Sequence, residues 1–335
     1  MKGKLFVILI TLLISVMFFN CNQRERVPLN SIDLEVKIKR FDSALFSVKE
    51  VNDEFVKTIA KDYSLFFPVF CEGVIGIGKL EDDGFNDYLN SFLADNMVND
   101  VRRKVEEVFP NTNELDFELT DAFKRVKYFF PQKPTPAVFG FLSGFNNSIV
   151  IADSIIGVGF DRYLGRNCDF YPKLGIHKYL TYNMQPAKIP SDVIRSYAIG
   201  EFNFNDSIDN LLNNMIYEGM LMYFTSQVLP NHPDSLIFGF TPNHMKFLKS
   251  NEKYMWTYLI EHKQLFSTES FAIQRFIGDA PFTQGFPNES PGRAVVWIGY
   301  RIVKEYMNRN KEVTLAMLMN ERDYQKILNR SKYTP

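Results

Sequence analysis

Three short apolar runs in the middle of the chain, residues 137–145, 148–152 and 154–160, constrain the fold more than any other feature of the sequence. Each is rich in Phe, Val and Ile, and the breaks between them, Asn146-Asn147 and Asp153, are residue types that favour turns. The pattern predicts the strands of a small antiparallel meander. Around it the period changes. Glu35 to Arg40 alternates like one further strand, after which helical spacing predicts helices over about 42–60, 84–108 and 115–130, the last stopped by Pro131 and the Lys133-Pro134 step. Beyond residue 160, helices are expected near 174–183, 190–202, 207–228, 242–262, 268–277, 291–308 and 313–328. With no fixed-period repeat and no low-complexity linker, residues 31–335 read as a single α+β domain dominated by helices, the meander packing against them.

Charge narrows the partners. The net charge is −1, and the longest Lys/Arg block is Arg102-Arg103-Lys104, so the basic face that nucleic-acid phosphate requires is missing and no nucleic acid is expected as a partner. Aromatic residues make up 15 % of the chain, which suits a packed globule and not a disordered linker or a coiled coil.

The N-terminus has the layout of a secretory signal: Lys2 and Lys4, an apolar stretch from Leu5 to Phe19, then Asn20 and Cys21. That stretch is shorter than the roughly 20 residues that span hydrocarbon, so a permanent transmembrane helix is the weaker reading. A cysteine at its end resembles a bacterial lipoprotein, with residues 1–20 removed, Cys21 acylated and 21–30 a polar tether to the membrane lipid. An ordinary cleaved signal and an uncleaved anchor are the alternatives. The residues after Cys21 refine the address. Asn22 is not the Asp that resembles an inner-membrane retention signal, and Gln23-Arg24-Glu25-Arg26 lacks the acidic run that resembles a surface-export signal, so an outer-membrane lipoprotein facing the periplasm is expected. The other two cysteines, Cys71 and Cys168, either pair as one disulfide or lie buried as thiols.

Most familiar catalytic signatures fail. Gly140-Phe141-Leu142-Ser143-Gly144 is not a nucleophile elbow, Gly157-Val158-Gly159 lacks the rest of a dinucleotide fingerprint, and no P-loop exists. His177, His232, His244 and His262 are isolated and not at ligand spacing, so neither a metal nor another cofactor is expected. The helix over 207–228 is the richest segment. Ile208, Leu211, Leu212, Met215, Ile216, Gly219 and Met222 make an apolar stripe with Glu218 at its edge. An acid there is either structurally paired or a site residue.

Tyr217-Glu218-Gly219-Met220-Leu221 is similar to the His-Glu-x-x-His of zincin-type metallopeptidases, with Tyr217 and Leu221 where two histidines would hold zinc. Together with Asp161-Arg162-Tyr163-Leu164-Gly165 after the strands, and Pro291-Gly292-Arg293 ahead of Gly299-Tyr300, it resembles the gliding-motility lipoprotein GldB family of Bacteroidota. The resemblance covers nearly all of the chain after Cys21. It implies a degenerate zincin-like domain without established catalysis, and an accessory or assembly role among envelope proteins of the gliding and type IX secretion machinery. The candidate pocket comprises Tyr217, Glu218, Tyr223, Asp161, Asp169, Glu289, Arg293 and Tyr300. An alternative is an envelope hydrolase in which Glu218 works with Glu289, Asp161 or Asp169, with or without a metal.

Two features complete the expectations. Gly292 and Gly299 are spaced to let another helix approach closely, and Arg293 between them is placed to pair with Glu218 or Glu289. The loop from Gly278 to Glu289 offers Phe282, Gln284 and Phe286 as the grip of a peptide- or glycan-binding module.

Overall fold

The computed structural model describes residues 27–335 apart from Lys49, so the signal segment and Cys21 lie outside the described residues. Residues 34–335 form one compact unit. The chain enters through β1 (Ile38–Arg40) and α1 (Phe41–Leu45). Helices α2 (Asp53–Asp62), α3 (Phe85–Ala94), α4 (Asn96–Val108) and α5 (Asn113–Phe129) follow. The expected single helix over 84–108 is two, because the Asp95 side chain accepts from the Val98 amide and restarts the helix there.

The central strands are β2 (Ala137–Phe141), β3 (Ile149–Ala152) and β4 (Ile155–Gly159). Their segments match the sequence expectation, and their pairing corrects it. The sheet order is β1-β2-β4-β3, with β1 parallel to β2, β2 parallel to β4, and only β3 and β4 antiparallel. This is a mixed sheet, not a meander. The cause lies in residues 142–148, which form a broad loop in place of a hairpin turn. Two backbone amides of that loop, those of Ser143 and Phe145, donate to the carboxylate of Asp161 at 2.9 and 2.7 Å. The chain is thereby carried past the position of β4, which then inserts between β2 and β3.

Alternation across the sheet separates two cores. Phe139, Phe141 and Ile155 face a phenylalanine-rich cluster with Phe41, Phe66, Phe67 and Phe70, while Val138, Ile156 and Val158 face the main core. Phe66 stacks on Phe139 at 5.0 Å and meets Phe41 edge-on at 5.1 Å, each such pair adding about 0.5–1.5 kcal/mol beyond the area buried. Cys71 lies in the phenylalanine cluster and Cys168 in the main core. Both are free buried thiols, so the expected alternative of a disulfide between them gives way to burial.

After a 3₁₀ turn at Phe160–Tyr163 come the short α6 (Phe170–Lys173) and α7 (Lys178–Thr181), then α8 (Ile189–Glu201) and α9 (Leu211–Val228). The remaining helices are α10 (Asp234–Phe238), α11 (Pro242–Ser250), α12 (Glu252–Glu261), α13 (Ser270–Ile277), α14 (Ala294–Arg309), α15 (Leu315–Asn320) and α16 (Tyr324–Ser331). Helix α9 starts where the Asn210 side chain accepts from the Asn213 amide at 2.9 Å. It is buried around most of its circumference, so the stripe expected from spacing underestimates it: this is the central helix of the domain. Its most extensive partner is α14. Backbone meets backbone there, since a Cβ on Gly299 would overlap the carbonyl of Met215 and one on Gly219 would overlap Gly299 itself.

Candidate functional site

Helix α8 builds the polar centre of the molecule. Lys188, Asp192 and Arg195 are spaced by four and three residues, so they share one face of an otherwise apolar helix that buries Ile189, Val193, Ile194 and Ala198. Lys188 is buried, and its Nζ donates to Asp192 Oδ1 at 2.6 Å and to Ser191 Oγ at 3.0 Å. The Tyr163 hydroxyl donates to the other Asp192 oxygen at 2.9 Å. One turn further along, Arg195 Nη2 reaches both oxygens of Glu218, at 2.8 and 2.7 Å.

The electrostatics of Glu218 follow from that neighbour. Burial pushes its carboxyl up, but the charges of Arg195 and then Arg293 outweigh burial and hold it below the ordinary glutamate value. Lys188 moves the other way for its class: burial lowers it more than Asp192 raises it. Arg293 pairs with Asp279 at 3.6 Å, not with Glu289, and it acts on Glu218 by charge without a direct ion pair. It stands just before α14 in a left-handed conformation, φ 61°, a strained position for a side-chain-bearing residue. Two contacts fix it. The Thr283 hydroxyl accepts from the Ala294 amide at 3.0 Å and donates to the Pro291 carbonyl at 2.7 Å, and Gly292 lies so close to Ala280 that a Cβ would overlap its backbone. Gly299 meets a helix as its spacing implies, whereas Gly292 meets a loop.

The other candidate residues fall in separate places. Tyr217 donates its hydroxyl to the Phe202 carbonyl at 2.9 Å and packs on Phe204, and Leu221 is wholly buried, so both positions of the zincin comparison are used for packing. Tyr223 and Tyr300 approach to 6.4 Å between rings, and Tyr300 continues into Phe238 and Trp297. Burial pushes the Tyr223 hydroxyl up to about 12. Asp161 is fully buried beneath the 142–148 loop, where burial raises its carboxyl more than the amides of Phe145 and Ser143 lower it. Its second oxygen, Oδ1, is buried without a hydrogen-bond partner. Asp169 is exposed and pairs with Lys173 at 3.1 Å, and Glu289 is exposed on its loop. Of the proposed carboxylate partners for Glu218, Asp161 and Asp169 take their bonds elsewhere, and Glu289 stands exposed on its loop. In the loop Gly278 to Glu289, Phe286 is buried against Tyr258 and Phe276 and does not stand at a cleft, while Gln284 is exposed.

Sequence reasoning missed Arg195, Lys188, Asp192 and Tyr163, although the repeated charge at spacings of four and three on α8 was a usable signal. The chemistry such a cluster offers is restraint. Three cations face three carboxylates, and a glutamate held ionised by a guanidinium across both oxygens is a weak proton acceptor. Among the described residues no three His, Cys, Asp or Glu side chains converge as metal ligands.

A family model described as gliding motility protein GldB matches residues 22–335. No curated protein and no solved structure matches the chain.

Proposed function

The chain belongs to the gliding motility protein GldB family, a family of cell-envelope lipoproteins, and from that premise we propose that it works without catalysis, as an accessory or assembly component of the gliding and secretion machinery. The observation that carries this reading is the Arg195–Glu218 pair. The one residue of the zincin-like motif with catalytic capacity is engaged on both oxygens, and the two flanking ligand positions, Tyr217 and Leu221, support packing. Position in the envelope and surface are then what the protein contributes. Acyl chains on Cys21 hold it on the periplasmic face of the outer membrane, within reach of other envelope proteins.

The test uses the full chain in the gliding cell. With Cys21→Ala the protein is expected to leave the membrane fraction and gliding to fail, while protease added to intact wild-type cells leaves the anchored protein whole. Normal gliding by a Cys21→Ala form released from the membrane would contradict the role of the anchor.

A further inference from the structure

Residues 164–188 connect the 3₁₀ turn to α8 with only short helical turns, an unusually long irregular stretch for the interior of a compact domain. It is nevertheless held firmly. The Leu164 amide donates to the Tyr171 hydroxyl at 2.9 Å, the Gly165 amide to the Met184 carbonyl at 2.9 Å, and Asn183 Nδ2 to the Gly239 carbonyl at 3.1 Å. Between this stretch and the start of α11 lies a cavity of about 730 Å³. That is the size of a small-molecule site, and a fixed irregular loop is where such sites are built.

Its lining is specific in chemistry. Tyr179 and Tyr182 line it: the Tyr179 ring is stacked on His177 at 5.7 Å, and the Arg166 guanidinium lies over one face of Tyr182 at 4.2 Å from the centroid, setting a charge against the ring. Lys178 supplies a second cation. Among the described residues no hydrogen bond or ion pair engages the side chains of Arg166 or Lys178 or the hydroxyls of Tyr179 and Tyr182, in contrast to the paired cations of α8. Asp169, the one carboxylate of the lining, is already bound to Lys173. The site therefore has a net positive, hydroxyl-rich wall with two tyrosine rings in it. No strand lines it, so an extended peptide has no sheet edge to join.

We infer that this cavity binds an acidic saccharide, a sugar ring packed against Tyr179 and Tyr182 with its carboxylate held by Arg166 and Lys178. The assignment stands apart from the role of the Arg195–Glu218 pair, which is not part of the lining. The test is calorimetric titration of the full chain in detergent with a galacturonate tetramer, beside cellotetraose and an acidic tetrapeptide. Saturable binding of the galacturonate is expected, with cellotetraose and the peptide each weaker by about ten-fold or more, since a charge-assisted bond and a packed ring are both forfeited in turn. Arg166→Gln is expected to remove the preference for the acidic sugar, and Tyr182→Ala to weaken both sugars. Arg166 is exposed and Tyr182 half-buried, so an unchanged melting curve establishes that the variants fold. Absence of saturable binding, equal binding of cellotetraose or of the peptide, or undiminished binding by an Arg166→Gln/Lys178→Gln double variant would each overturn the assignment.

Discussion

Glu218 lies in a poorly hydrated setting with one guanidinium across both of its oxygens, and the energetics of such a pair are lopsided. Removing one partner strands a largely desolvated charge and costs up to about 3–5 kcal/mol, the figure for a fully buried pair being the upper bound for one whose side chains keep 26 and 18 % exposure. Replacing both by apolar groups of similar volume is often neutral or stabilising. The pair also sets a pH dependence. Because the folded carboxyl lies below the ordinary glutamate value, its stabilisation is fully present above about pH 4.3 and is lost as pH falls through the folded value. Denaturant unfolding between pH 6 and 3 should show that loss in the wild type, and Arg195→Met/Glu218→Leu should flatten the curve. An unchanged slope in the double variant would place the acid sensitivity elsewhere. Asp161 has the opposite sign: its raised value means the charged form costs stability as pH rises through it. Its two amide bonds set what substitution does. Asp161→Ala leaves the buried Ser143 and Phe145 amides unpaired and should cost about 2–5 kcal/mol in denaturant unfolding, while Asp161→Asn, which keeps an acceptor, should stay within about 1.5 kcal/mol of the wild type.

Elements were legible in the sequence where local patterning decides them, and not where partners do. The strand segments and the helices expected over 115–130, 190–202, 207–228, 268–277 and 291–308 stand close to their expected bounds because apolar period and capping residues are local. Those expected over 42–60, 242–262 and 313–328 are each two helices, and 174–183 holds only the turn Lys178–Thr181. The pairing of β2 with β4 was not legible, since a period of two tells which face a residue takes and nothing about the neighbouring strand. Asp95 broke a helix that apolar spacing ran through, for spacing does not register a side chain capping forward. Of the two spaced glycines only Gly299 marks a helix–helix approach, Gly292 standing ahead of α14 against a loop, and the α9–α14 crossing is where it can be tested. Gly299→Ala should destabilise by about 3 kcal/mol, at the upper end for overpacking, because the atoms that a Cβ would meet are backbone and cannot rotate away. Gly200→Ala on α8 is the matched control. Its Cβ would stand 3.4 Å from Ile151 Cγ2, an ordinary contact, so it should be neutral or stabilise by up to about 1 kcal/mol. Equal losses in the two variants would remove the crossing as their cause.

At the scale of the molecule, a mixed sheet separates a phenylalanine-rich cluster from the main core, and a polar cluster crosses from the turn after β4 through α8 to α9 and the start of α14. Glu218 could be singled out from sequence because one acid on an apolar helix is conspicuous. Its partner could not, because Arg195 lies on another helix and only folding brings the two together. That partner changes the meaning of the residue, from the remnant of a catalytic motif to one half of a structural pair. The most direct measurement is gliding speed in cells that carry, as their only copy, Glu218→Leu or Arg195→Met/Glu218→Leu, with envelope levels of each protein checked alongside. A structural pair predicts that the single variant loses abundance and gliding together and that the double variant restores both. A double variant present at wild-type levels in the envelope, yet unable to glide, would show that the carboxylate itself is needed and would contradict the account.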